Sequence, residues 1–152
     1  VDHGRSPNNG DYAYMVIPSA DPLSIEKQVE EEGVVILANC PEVQAVRHDG
    51  LNMAYAAFYK GGTLRIHDKI VVEMDSPGML MVKYNDAGEI LALGVSDPTR
   101  FMKKLHLSVN QKIVGAVQEN IQTEWDEKQA LTRITVDLPQ NEYAGKSVIY
   151  NK

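Results

Sequence analysis

The sequence predicts an all-β protein, an antiparallel β-sandwich with one short helix near the N-terminus. Two observations indicate this fold. Apolar and polar residues alternate in short runs that recur roughly every ten residues, as expected when two sheets each bury one face and expose the other. Helical periodicity is scarce, because only one segment of the 152 residues carries both a start signal and a stop signal for a helix.

The chain opens with the segment VDHGRSPNNG, which leads into the apolar run DYAYMVI. Read as a strand, this run is apolar on both faces: one carries Tyr12, Tyr14 and Val16, and the other Ala13, Met15 and Ile17. A strand of this kind needs cover on both sides, as in a sheet between two other layers. Residues 1–20 are therefore predicted to be the terminal strand of a preceding domain, and both tyrosines are predicted to be packing residues.

The segment ADPLSIEKQVEEEG predicts a short surface helix over residues 21–32 that links two domains. Asp21 suits the N-terminal cap, Pro22 the first helical position and Gly33 the C-terminal cap. Its apolar stripe is narrow and consists of Leu23, Ile25 and Val29.

Residues 33–152 are predicted to form a C-terminal β-sandwich domain. The strand candidates include VVILAN, VQAVRHD, LNMAYAAFY, KIVVEM, GMLMVKY and EILALGV, and NDAG at residues 85–88 predicts a hairpin loop. Alternation assigns three groups of side chains to the core, namely Leu91, Leu93 and Val95, then Leu105, Leu107 and Val109, then Ile134, Val136 and Leu138.

Charge and hydropathy exclude two classes of partner. The formal net charge of −6 argues against a nucleic-acid partner, since that affinity comes mainly from clustered lysines and arginines. The longest run without a charged residue is Gly50 to Tyr59, about half of the roughly twenty residues that a membrane helix needs. We therefore expect no nucleic acid and no membrane span.

Motifs for catalysis or metal binding are missing from the sequence. The four histidines follow no metal-ligand spacing, and no nucleophile elbow, phosphate loop or dinucleotide fingerprint is present. The sequence therefore predicts no catalytic residue, no metal site and no cofactor. Asn8, Asn9 and Asp11 could hold calcium, but an Asn-Gly turn is the favoured interpretation of this cluster.

The single cysteine, Cys40, excludes an internal disulfide and a multi-cysteine zinc site. It follows a predicted strand and precedes Pro41, and we expect an inert, semi-buried side chain.

Candidate glycan contacts are few. Trp125 lies among acidic residues in IQTEWDEKQ, where an exposed indole could bind a neutral sugar but would repel a uronate. Packing at a sheet edge is the favoured interpretation. Arg47 and His48, at the end of VQAVRHD, complete the set of possible glycan contacts.

Two segments resemble polysaccharide lyase family 8. HGRSPNNGDYAYMVIP is similar to the stretch that closes the family's central β-domain. VVILANCPEVQAVRHDGLNMAYAAFYKGG and ILALGVSDPTR resemble its C-terminal β-sandwich, most closely at residues 41–46 and 95–99. The resemblance covers about residues 3–20 and 33–100.

The resemblance implies a segment of a secreted or periplasmic enzyme that cleaves a uronate-containing polysaccharide by β-elimination. In this family an N-terminal α/α-toroid carries most catalytic groups, and no residue here matches them. The implied partners are the rest of the parent lyase chain, above all its central β-domain, and the polysaccharide that the parent binds. No cofactor is implied for this segment, although calcium is possible in the parent.

The function expected from the sequence is thus that of a non-catalytic accessory domain. Two alternatives remain open. One is an independent carbohydrate-binding module, which would align exposed aromatic side chains on one sheet. The other is an adhesion or interaction domain with the same sandwich fold.

Overall fold

The computed structural model of the chain describes residues 12–14, 16, 18, 21, 23, 25–27, 33–113 and 119–152. The chain divides into two compact units, residues 1–31 and residues 32–152. The larger unit is an antiparallel β-sandwich, which confirms the predicted fold class. No helix in the described ranges has the length and apolar character needed to cross a membrane.

In the part of the chain that the structure describes, eleven strands form the sandwich. Their bounds are β1 Val34–Asn39, β2 Val43–His48, β3 Met53–Phe58, β4 Gly62–His67, β5 Ile70–Met74, β6 Gly78–Tyr84, β7 Ile90–Ser96, β8 Lys104–Val109, β9 Ile121–Asp126, β10 Leu131–Asp137 and β11 Val148–Asn151. The six-stranded sheet has the order β1-β2-β3-β6-β7-β11, and the five-stranded sheet has the order β4-β5-β8-β10-β9. Two single turns of 3-10 helix lie at Asp49–Leu51 and Asn141–Tyr143.

The core lies between the two sheets and follows the alternation of apolar residues. On β8, on β10 and directly after β10 the predicted inward side chains are all buried, namely Leu105, Leu107, Val109, Ile134, Val136 and Leu138. The turn NDAG is also confirmed. The Gly88 N–H donates a 2.8 Å hydrogen bond to the Asn85 carbonyl, and the glycine has a φ of +77°.

The prediction for β7 is wrong at Leu91, whose side chain is exposed. Its neighbour Ile90 is buried instead and lies opposite Tyr84, while Ala92 lies opposite Lys83. Leu91 is therefore the extra residue of a β-bulge, which leaves two residues of one strand opposite one of the other. Beyond the bulge, Leu93 and Val95 point into the core as predicted.

The smaller unit retains part of the predicted helix. The Leu23 N–H donates a 3.2 Å hydrogen bond to the Asp21 carboxylate, and Ile25–Lys27 are helical. Val29 and the rest of the helix lie outside the described residues.

The described part of the predicted opening strand, residues 12–14 and 16, has no regular secondary structure. The rings of Tyr12 and Tyr14 stack on each other with centroids 6.2 Å apart.

Candidate functional site

Arg47 lies where the two sheets meet. Its Nη1 donates a 3.1 Å hydrogen bond to the carbonyl of Ile66 on β4, and its Nη2 donates a 3.3 Å bond to the Asp49 carboxylate. The hydrogen bond from Arg47 holds the pKa of Asp49 below its usual value. The guanidinium of this predicted glycan contact therefore joins the two sheets and is half-buried.

His48 and Trp125 lie apart from Arg47. His48 is on the opposite face of β2, because successive residues of a strand point to opposite sides. Trp125 is on β9, at the far edge of the five-stranded sheet from β4. The structure therefore does not bring the three predicted contacts together into one site.

Trp125 is half-buried at the edge of the sandwich. It pairs with Thr132 and shares its face of β9 with the buried Ile121. The ammonium of Lys112 lies 5.8 Å from the centroid of the indole ring. This placement supports a packing role more than a flat platform for sugar rings.

A polar groove of about 520 Å³ crosses the outer face of the five-stranded sheet. Its lining includes Glu73, Asp75, Glu124, Arg133 and His106. The Nδ1 atom of His106 is 3.0 Å from the hydroxyl oxygen of Thr135. Carboxylates outnumber cations here, so the groove repels a polyanion.

The outer face of the six-stranded sheet has the opposite character. One row of residues in register crosses all six strands and consists of Ile36, Val46, Tyr55, Met81, Gly94 and Ile149. The rows on either side add Gln44, Ala57, Met79, Ser96, His48, Met53, Lys83, Ala92 and Asn151. We call these three rows the apolar face. Lys83 is the one lysine, arginine or carboxylate in them.

Several large side chains of the apolar face are exposed to solvent in the described chain. Ile36 is 53% exposed, Ile149 46% and Tyr55 43%. A Cβ atom on Gly94 would lie 3.3 Å from the methyl carbon of Met81, so this glycine lets Met81 lie across the sheet. The result is a broad surface with little charge.

Asp97 organises the loop between β7 and β8. Its carboxylate is buried and accepts hydrogen bonds from the N–H groups of Thr99, Phe101 and Met102 at 2.8, 2.9 and 2.8 Å, and from the Thr99 hydroxyl at 2.6 Å. Burial alone raises the pKa of Asp97, but these hydrogen bonds outweigh it and hold the pKa below its usual value. The family resemblance at residues 95–99 does not indicate this structural role of Asp97.

Cys40 corrects one expectation from the sequence. The side chain is exposed rather than semi-buried, because it lies in the turn between β1 and β2, beyond the end of the strand. Its thiol donates a 3.4 Å hydrogen bond to the Val43 carbonyl.

The described residues contain no group of three or more histidine, cysteine or carboxylate side chains that could hold a metal ion. Asn8, Asn9 and Asp11 lie outside them, so the Asn-Gly turn favoured for that cluster stays a prediction.

The chain is similar to known proteins over most of its length. Residues 35–106 match the model of the polysaccharide lyase family 8 C-terminal beta-sandwich domain. Chondroitinase-AC of Pedobacter heparinus is 29% identical over 148 residues, which are 97% of this chain and 19% of that protein. Hyaluronate lyase of Thermasporomyces composti is 27% identical over 146 residues, 95% of this chain and 18% of that protein.

A solved structure of a chondroitinase AC lyase with bound oligosaccharide superimposes with a TM-score of 0.73 at 31% identity. The match covers 97% of this chain and 19% of that one. The chain therefore spans about a fifth of the length of the relatives that it matches.

Proposed function

We propose a function on the premise that the chain belongs to polysaccharide lyase family 8, whose C-terminal β-sandwich region it forms. It serves as the non-catalytic accessory domain of an enzyme that cleaves a uronate-containing polysaccharide, of the glycosaminoglycan or xanthan type, by β-elimination. The parent enzyme works outside the cytoplasm, as a secreted or periplasmic protein.

The observation that carries this proposal is the apolar face. An antiparallel sheet that borders water on one side normally carries polar residues there, as the outer face of the five-stranded sheet does. The central row of the apolar face spans six strands, or roughly 24 Å at about 4.8 Å per strand. Apolar patches of this extent mark interaction surfaces.

The partner that fits this surface is the rest of the parent lyase chain, above all its central β-domain. In each of these relatives about four-fifths of the chain lies outside the matched segment. Strand β1, the first strand of the sandwich, lies at an edge of the same sheet. A surface with so little charge suits a protein partner better than a polyanionic substrate.

The tyrosines of the sandwich core are poorly suited to act as a base for elimination. A base of this kind needs a depressed pKa, so that the side chain can lose its proton. Tyr84 and Tyr150 are buried, and burial raises the pKa of both. The described chain therefore supports an accessory role rather than a catalytic one.

The direct test is an activity assay on this chain with chondroitin, hyaluronan and xanthan. We expect no unsaturated uronate product, which is detected by its ultraviolet absorbance. Chondroitinase AC from Pedobacter heparinus serves as the positive control. Reproducible turnover that is lost in Tyr12→Phe or Tyr14→Phe would contradict both the accessory role and the packing role of these tyrosines.

A chimera tests the accessory role itself. This chain replaces the corresponding segment of the Pedobacter chondroitinase AC, and we expect a folded, active lyase. The double substitution Val46→Glu and Tyr55→Glu places carboxylates on the apolar face, and it should lower the unfolding temperature of the chimera because buried unpaired charges are costly. Gln122→Glu with Lys128→Gln, exposed on the polar sheet and in the β9–β10 turn, changes the net charge by the same amount. This pair is the matched control and should have little effect.

An independent carbohydrate-binding module is the second candidate, and the polar groove is the observation that favours it. Its carboxylates and the amide of Gln122 could hold the hydroxyl groups of a neutral sugar. Titration with neutral oligosaccharides tests this alternative. Binding that is lost in Gln122→Ala would favour the module over the accessory domain.

A further inference from the structure

Two loops lie side by side at one end of the sandwich. They are the β7–β8 connection, residues 97–103, and the β10–β11 connection, residues 138–147. The Gln140 amide donates a 3.0 Å hydrogen bond to the Met102 carbonyl, and the Leu138 N–H donates a 2.8 Å bond to the Lys103 carbonyl. The two connections therefore form one surface.

This surface presents aromatic rings and cations together. Phe101 is 88% exposed, more than any other large apolar side chain described in the sandwich, and Tyr143 is 59% exposed. Arg100, Lys103 and Lys146 are also exposed. We call these five residues the loop tip. The ammonium of Lys146 lies 5.9 Å from the centroid of the Tyr143 ring.

The positive charge of the loop tip is not neutralised locally. Among the described residues, none of its three cations forms an ion pair, and Glu142 is the one exposed carboxylate in the two loops. The whole chain has a formal net charge of −6. The loop tip is therefore a cationic patch on an acidic protein, which attracts anions locally.

The backbone of the two loops is held in an uncommon conformation. Arg100 has a φ of 68° and Asn141 has a φ of 58°. Residues other than glycine rarely adopt this left-handed region of backbone conformation. Such backbone conformations are kept only where the surrounding structure holds them in place, which is often at binding sites. Here the Asp97 carboxylate fixes the loop from below through its hydrogen bonds to Thr99, Phe101 and Met102.

Gly145 supports the Arg100 side chain. A Cβ atom at this position would lie 3.2 Å from Cγ of Arg100, so the arginine stem packs against the glycine backbone. The rest of the Arg100 side chain is exposed.

We propose that the loop tip binds an acidic oligosaccharide. The aromatic rings pack against the apolar faces of the sugars. Arg100 donates paired hydrogen bonds to a carboxylate or sulfate, the geometry for which guanidinium groups are suited. This inference rests on the proposed function, because the polysaccharide of the parent lyase supplies the ligand.

The test is a titration of this chain with hyaluronan and chondroitin sulfate hexasaccharides. Calorimetry measures the affinity, and the amide chemical shifts identify the residues that contact the ligand. We expect chemical-shift changes at residues 99–103 and 141–146. The affinity should decrease as the salt concentration is raised from about 50 to about 500 mM. Arg100→Gly, which suits the left-handed backbone, and Phe101→Ala should each weaken binding by about tenfold, as expected for the loss of one charged or stacking contact. Lys128→Gln and Leu51→Ala, exposed on other surfaces, are matched controls and should leave affinity unchanged.

Three results would overturn the proposal. The first is no binding at about 1 mM ligand, a concentration at which even weak affinity is detected. The second is equal binding of a neutral hexasaccharide, and the third is a set of chemical-shift changes confined to the polar groove or the apolar face. Shifts at the apolar face would identify the sugar rather than a protein as its occupant. The activity assay and the chimera test the accessory role independently, so failure of this contact leaves their outcome unchanged.

Discussion

The Met102 N–H donates a 2.8 Å hydrogen bond to the buried carboxylate of Asp97, five residues earlier in the chain. Together with the bonds from Thr99 and Phe101, it folds the β7–β8 connection around a single side chain. The carboxylate of Asp97 thus holds the part of the loop tip that lies in the β7–β8 connection.

Asp97→Ala should therefore destabilise the chain by about 2–4 kcal/mol, because several backbone N–H groups lose a charged acceptor. Urea unfolding monitored by circular dichroism measures this loss. Asp68→Ala, at an exposed position whose side chain supports no loop, is the control and should cost less than about 0.5 kcal/mol. Equal losses in the two variants would mean that the Asp97 bonds contribute little.

The same carboxylate makes stability depend on pH. Its folded pKa is lowered, so the folded state binds fewer protons than the unfolded state near the unfolded pKa of about 3.9. Its contribution is present above that value and is lost as the pH falls through the lower, folded pKa. We expect the unfolding free energy to fall below about pH 4, and to fall less steeply in Asp97→Asn. An identical slope in the variant would assign the effect to other carboxylates, such as Asp49 and Asp126, whose pKa values are also lowered.

The bulge in β7 predicts unequal effects for two leucines that are two residues apart. Leu93→Ala should cost about 2–5 kcal/mol because it empties a buried position. Leu91→Ala should cost less than about 1 kcal/mol, since the side chain is exposed. Chemical denaturation of both variants measures the difference. Similar losses would show that Leu91 also packs in the core.

Removal of residues 1–18 tests the proposed domain boundary. Tyr12, Tyr14 and Val16 are 58, 80 and 74% exposed, so they contribute little burial. The shortened chain should unfold at the same temperature as the full chain, and it should be more monomeric because it has less exposed apolar surface. Calorimetry and light scattering measure the two properties. Unfolding of the shortened chain would place the opening segment in the sandwich.

Regular alternation made much of the sandwich predictable. On β8 and β10 the period of two holds without interruption, so Leu105 and Ile134 were placed correctly. Leu91 was misplaced because a bulge leaves no mark on the apolar pattern. Strand β4, GTLRIH, is short and begins with glycine, and it was not predicted although Leu64 and Ile66 alternate with Thr63 and Arg65.

The candidate surfaces were harder to predict. The apolar face depends on the register of six strands, which brings distant residues such as Ile36 and Ile149 into one row. The exposure of Phe101 was not predicted, because it follows from the turn that the hydrogen bonds of Asp97 impose. The Asp-Pro pair in VSDPTR is a turn signal that could have directed attention to this loop.

The bulge at Leu91 also determines where the strand can change in length. Deletion of one residue elsewhere in β7 would invert the faces of every residue on one side of the gap and expose core side chains. Deletion of Leu91 would instead join Ile90 to Ala92 opposite the consecutive pair Tyr84 and Lys83, with every neighbour still on its present side. Position 91 is therefore the point in this strand where a single codon can be lost while the fold is kept.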